Sequence, residues 1–180
     1  MPPHGLTHPI PVAACRWPDG VDPEEGLARL FDDLNDPELL NLDTVLEIER
    51  DSASEATCPV ITYSHFLPRQ ELIPEKAMLY EKNLPKGVGS DFLMRRIEAI
   101  KPDIHVFGHT HFSWDCSLDG VRYVQWPLAY PHERRRRRNE GEGWEPLCIY
   151  DTETGMQPSK HTYWCKHYRY PSWEQASAGQ

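Results

Sequence analysis

Two short apolar runs, Val60-Ile61-Thr62-Tyr63 and Ile104-His105-Val106-Phe107, predict buried strands over 59–64 and 104–108. Between them, Leu93, Met94, Ile97 and Ile100 recur at helical spacing. Ser90 is a good cap for a helix over 90–100, and Lys101-Pro102-Asp103 ends it. Strand, helix and strand in that order predict a right-handed βαβ crossover, with the two strands parallel and their C-termini on one edge. Downstream, apolar-rich runs 112–116 and 121–126 flank Asp119-Gly120, a strong hairpin turn signal, and Trp114 and Trp126 read as its packing residues. A further strand over 146–150, a turn at 151–155 and an aromatic stretch over 161–173 that packs back on the domain complete this half. Upstream, Leu27, Leu30, Phe31 and Leu34 predict a helix over 23–34, with Asp22 as cap and Pro23 at its first position. Leu42, Val45, Leu46 and Ile48 suggest a second short helix or a surface insertion, and residues 1–22 read as irregular. The expected fold class is α/β, one βαβ unit continuing into antiparallel strands and hairpins. The expected division is 1–58 irregular and helical, 59–170 the main domain, and 171–180 a tail.

Both predicted strands deliver histidine at their C-terminal ends, through Ser64-His65 and through Gly108-His109-Thr110-His111. That edge of an open α/β sheet is where ligands bind, because the loops diverge there. Imidazole is the commonest metal-binding side chain, and parallel pairing brings His65 near His109 and His111. These three residues are the expected metal ligands. His105, inside its strand, reads instead as a hydrogen-bonded structural residue. Cys116, five residues past His111, either completes a zinc site or is a small buried hydrophobe, and Cys58 is read in the same way.

The segments 61–69 (Ile-Thr-Tyr-Ser-His-Phe-Leu-Pro-Arg), 106–111 (Val-Phe-Gly-His-Thr-His) and 119–125 (Asp-Gly-Val-Arg-Tyr-Val-Gln) resemble the C-terminal half of calcineurin-like metallophosphoesterases. The resemblance covers roughly residues 59–138. It implies part of a metallophosphoesterase-like double β-sandwich, with two metal ions (Mn, Fe or Zn) that activate water against a phosphoester substrate. It assigns His65 and His109 to one ion and His111 to the other. The family's Asp-x-His, Gly-Asp-x-x-Asp and Gly-Asn-His-Asp/Glu motifs do not occur ahead of His65. Three imidazoles alone favour one weak site over a dinuclear centre, since a pair of hard dications also needs carboxylates.

Two functions of different class follow. One is a phosphoester hydrolase whose missing ligands come from an upstream segment or a second chain; the proline-rich start is then expected to be that of a shortened chain, inactive alone. The other is a catalytically inactive remnant acting as a binding or interaction module. Arg69 is a possible phosphate clamp or a surface ion pair, and Asp115 and Ser113 are possible partners orienting His111. The run Arg134–Arg138 reads as a phosphate-attracting or nuclear-localisation patch, or as a solvated loop flanked by Glu133, Glu140 and Glu142.

Charge and composition narrow the partners. The 180 residues carry 19 basic against 28 acidic side chains, a net charge of −9, which disfavours general nucleic-acid or anionic-membrane binding. No run approaches the ~20 apolar residues of a membrane helix. Five cysteines without a Cys-x-x-Cys pair suit reduced thiols, so the expected compartment is cytoplasmic. Apolar groups on both faces of Ile104–Phe107 lead to an expectation of self-association unless a missing half covers them.

Overall fold

A computed structural model describes residues 16–22, 26–35, 59–135 and 144–178. Strands β1 (Ile61–Tyr63), β2 (Ile104–Val106), β3 (Trp114–Leu118) and β4 (Val121–Gln125) form one sheet in the order β1-β2-β4-β3. β1 and β4 both run parallel to β2, in registers Thr62 to His105 and His105 to Tyr123. β3 returns antiparallel to β4 across the Asp119-Gly120 turn. The molecule is thus mixed α/β with a mixed sheet and short helices.

The β1–β2 connection is broken by its prolines into three 3-10 turns, Gln70–Leu72, Lys76–Met78 and Leu84–Lys86, before helix α2 (Asp91–Ile100). A parallel bridge between Leu67 and Gly89 ties the two ends of this excursion together. Gly89 is required there, because a Cβ would stand 2.2 Å from the Leu67 carbonyl oxygen. The Ser90 hydroxyl accepts from the Leu93 N–H at 3.3 Å, and Lys101 ends α2 in the left-handed conformation, φ 52°. Ser90→Ala is expected to cost about 1 kcal/mol, read as a lowered urea midpoint at unchanged m.

Helix α1 (Leu27–Asp33) lies on α2, with Gly26 at its N-cap. The Asp22 carbonyl accepts from the Gly26 N–H at 2.8 Å, while the residues that it is expected to cap lie outside the described residues. Arg96 of α2 pairs with the Asp32 carboxylate and donates to the carbonyls of Asp32 and Asn35 at 2.7 and 2.6 Å. The start of the expected 23–34 helix, the second helix over 42–48, Cys58, and Arg136 to Arg138 lie outside the described residues.

On the sheet, Leu67, Leu72, Val88, Ile97, Phe107 and Trp114 join Trp164 in one buried cluster. Trp164 comes from α4 (Tyr163–Tyr168), so the aromatic stretch does pack back on the domain. Trp114 stacks near Tyr168 and Tyr170, with ring centroids 6.1 and 6.2 Å away. A short helix α3 (Pro131–Arg134) follows β4, strands β5 (Tyr150–Asp151) and β6 (Gly155–Met156) form a small hairpin, and α5 (Trp173–Ser177) docks against β3. The strand expected over 146–150 is thus reduced to its last residue. The Ser117 N–H bonds the Pro171 carbonyl at 2.9 Å, covering part of the outer edge of β3. β1 is the opposite edge, and Ile61 and Tyr63 are exposed there.

One polar cluster sits inside this packing. Arg122 of β4 donates twice to the Asp115 carboxylate of β3, at 2.8 and 2.9 Å, with both side chains fully buried. Arg122 also reaches the Gln157 carbonyl at 2.5 Å, and Asp115 takes the Lys160 N–H at 2.6 Å. The ion pair therefore fastens the segment after β6 onto the sheet. Among the described residues, no helix is long and apolar enough to cross a membrane.

Candidate metal centre

The histidines arrive where parallel pairing places them. The Ser64 N–H continues the ladder to the Val106 carbonyl at 2.9 Å, and the Gly108 N–H bonds the His65 carbonyl at 3.2 Å. At Gly108 a Cβ would sit 3.4 Å from that same oxygen, an ordinary contact distance, so the approach of the two loops does not depend on glycine there. His65 Nε2 then lies 2.9 Å from His109 Nδ1, with the rings at 75°. Phe66 packs against both imidazoles, at 5.0 and 5.1 Å. His109 and His111 both adopt positive φ, 73° and 57°. Gln125, buried at the end of β4, pins the turn by donating to the Thr110 hydroxyl at 3.0 Å and the Phe112 carbonyl at 2.5 Å.

Two nitrogens bound to one ion at about 2.0–2.1 Å stand roughly 2.9–3.4 Å apart, depending on the ligand angle. The His65–His109 separation fits two ligands of one ion. Among the described residues, however, no three His, Cys, Asp or Glu side chains gather into a metal-holding group. The expected trio is therefore brought together only as a pair. His111 is held by Glu133, whose Oε2 lies 3.0 Å from His111 Nδ1. A carboxylate on Nδ1 selects the tautomer with its lone pair on Nε2, the arrangement that orients metal-binding imidazoles. Glu133 sits in the first turn of α3 and also accepts the Tyr130 N–H at 3.0 Å. Burial pulls its carboxyl upward, but the Tyr130 and His111 bonds prevail and hold it below the usual carboxylate range.

The remaining expected residues fall elsewhere. Asp115 does not orient His111, because its carboxylate is committed to Arg122 and Lys160. Ser113 is buried, and its carbonyl accepts from the Thr162 hydroxyl at 2.7 Å. Arg69 is no phosphate clamp beside His65. The chain doubles back at Leu67, and Arg69 pairs with Asp119 at 2.6 Å in the turn where β4 begins, the sheet edge opposite the histidines. It also pairs with Glu71 at 2.8 Å and lies over the Tyr123 ring. Burial works against the Arg69 charge, yet Glu71 and Asp119 outweigh it and keep the guanidinium a cation.

Cys116 is fully buried against Cys165 and belongs to the core rather than to a metal site. The string Asp103-Ile104-His105 spells Asp-x-His, but both its polar side chains have structural duties. Asp103 accepts the Val60 N–H at 2.8 Å, while His105 lies between the hydroxyls of Thr62 and Ser64, at 2.8 and 3.0 Å.

Two concavities flank the pair. His65 borders a groove of about 670 Å³ shared by β1, α1 and α2, while His109 and His111 border an apolar cavity of about 510 Å³ beside β4. Sequence reasoning missed Glu133, Gln125 and this cavity. Only Glu133 leaves a signal in the sequence, an acid in the first turn after Pro131. No family model, no curated protein and no solved structure matches the chain.

Proposed function

We propose that this chain carries the histidine-bearing part of a metal-dependent phosphoester hydrolase of the calcineurin-like type, within part of a metallophosphoesterase-like sandwich. The observation that carries the reading is the 2.9 Å approach of His65 Nε2 to His109 Nδ1 at the C-terminal ends of two parallel strands. His65 and His109 would hold one divalent ion, and His111, backed by Glu133, would serve a second. Such ions supply an activated water and stabilise charge on the phosphoryl oxygens when bound. The described residues do not complete a ligand set, so no catalytic step is assigned to them. The remaining ligands would come from outside the described residues, in this chain or a partner, and the exposed face of β1 offers a place for them to pack.

Zinc retained after dialysis is the first test. His65→Ala and His109→Ala are each expected to abolish stoichiometric binding, with His111→Ala having the smaller effect. Occupancy in the wild type should fall in acid, since imidazole binds metal only when neutral. Unchanged stoichiometry in the His65→Ala/His109→Ala double variant sinks the assignment.

The absence of a three-ligand group among the described residues favours a second reading, a non-catalytic interaction module. Hydrolysis of p-nitrophenyl phosphate and its bis-ester with added manganese separates the two. Turnover above that of the double variant selects the hydrolase. Turnover equal to it is expected of either reading while the ligand set is incomplete, and the zinc stoichiometry of wild type against the double variant then separates the two.

A further inference from the structure

The apolar cavity beside the histidines is built at the end of the same sheet edge. It is lined by Val124, Trp126 and Leu128 from the end of β4 onward and by Trp144, Leu147 and Ile149. Its volume of about 510 Å³ falls within the ~300–1,000 Å³ typical of small-molecule sites. It does not stand alone, because His109 and His111 line it too, so an apolar chamber opens beside the only imidazoles that the β2 C-terminus delivers. Trp126 is fixed by donating its indole N–H to the Glu145 carbonyl at 2.8 Å, which ties the two lining segments together.

We propose that this cavity is the binding site for the alcohol portion of a phosphoester, and that this portion is apolar and of aromatic-ring size. The proposal deepens the hydrolase reading and rests on it for the phosphate end alone. The phosphoryl group would lie at His109 and His111, and the ring between Trp126 and Leu147. A sugar or other polyhydroxylated alcohol fits poorly, since the walls would strip its hydroxyls of water and return few hydrogen bonds. An apolar ring gains from the same desolvation.

The test is a ligand-observed NMR titration of the full chain with 1-naphthyl phosphate, 1-naphthol and inorganic phosphate. It is repeated on Leu147→Asn and on Leu128→Asn. Leu128 is 55% exposed, so its replacement does not threaten the fold. Naphthyl phosphate is expected to bind about tenfold or more tighter than inorganic phosphate. Both variants should weaken naphthyl phosphate and naphthol alike and leave inorganic phosphate unchanged. The cavity assignment is overturned if neither variant alters naphthyl binding, or if naphthyl phosphate binds no tighter than inorganic phosphate. If naphthol binds as tightly as its phosphate and both respond to the variants, the cavity stands and the phosphoester reading fails.

Discussion

Arg122→Met is expected to destabilise the fold by about 3–5 kcal/mol, the cost of leaving a buried carboxylate without its cation. Asp115 and Arg122 are both fully buried, so water cannot take over the role of the lost partner. Asp115→Leu alone should cost a similar amount, for the converse reason. The double variant Asp115→Leu/Arg122→Met should recover much of the loss, because both desolvation penalties then disappear together. Recovery will be incomplete. The part-buried Lys160 N–H and Gln157 carbonyl would each lose a partner, at about 1 kcal/mol apiece. Urea unfolding of the four proteins gives the cycle, and additive single effects would show that the pair is not coupled.

Acidification from pH 7 to pH 4 is expected to remove about 3 kcal/mol through His105 alone. The Ser64 hydroxyl donates to the Phe66 carbonyl at 2.6 Å, so it accepts from His105 Nε2. Nδ1 then takes the Thr62 hydroxyl proton, and the neutral imidazole has both nitrogens matched. Burial lowers the His105 pKa to about 4, from an unfolded value near 6.5. Between those values the unfolded chain binds more protons than the folded one. Stability is therefore full above about pH 6.5, is lost as pH falls toward 4, and is flat in this respect below. Urea midpoints across this range should slope less steeply in His105→Phe than in the wild type. Equal slopes would remove His105 as the cause.

The βαβ unit and the histidine edge were legible because each rests on local pattern. A four-residue apolar run, a capped amphipathic helix and a Gly-His turn act over short distances, and parallel pairing then leaves little choice of geometry. The second parallel pair, β2 with β4, was not legible, since nothing in Val121–Gln125 says which side of the hairpin faces β2. Arg69 and Asp115 were misplaced for a related reason. Four residues of sequence separation put Arg69 near His65 only if the chain runs straight on, and it reverses at Leu67. Asp115 lies four residues after His111, but strand register turns it toward Arg122 across the hairpin. Glu133 reaches His111 over 22 residues, a contact that depends on how the β4–α3 loop folds back. Long-range polar pairs of this kind depend on the packed chain rather than on spacing.

The left-handed backbone at His109 and His111 sets the proposed metal role of these residues against folding. A side chain with a Cβ held at such φ costs on the order of 1 kcal/mol, which glycine would not incur. A library sorted purely for thermal resistance should therefore drift toward glycine or asparagine at these two positions, shedding both imidazoles as it hardens. Engineering for robustness that is to keep the proposed site would hold those codons constant and find its gains elsewhere.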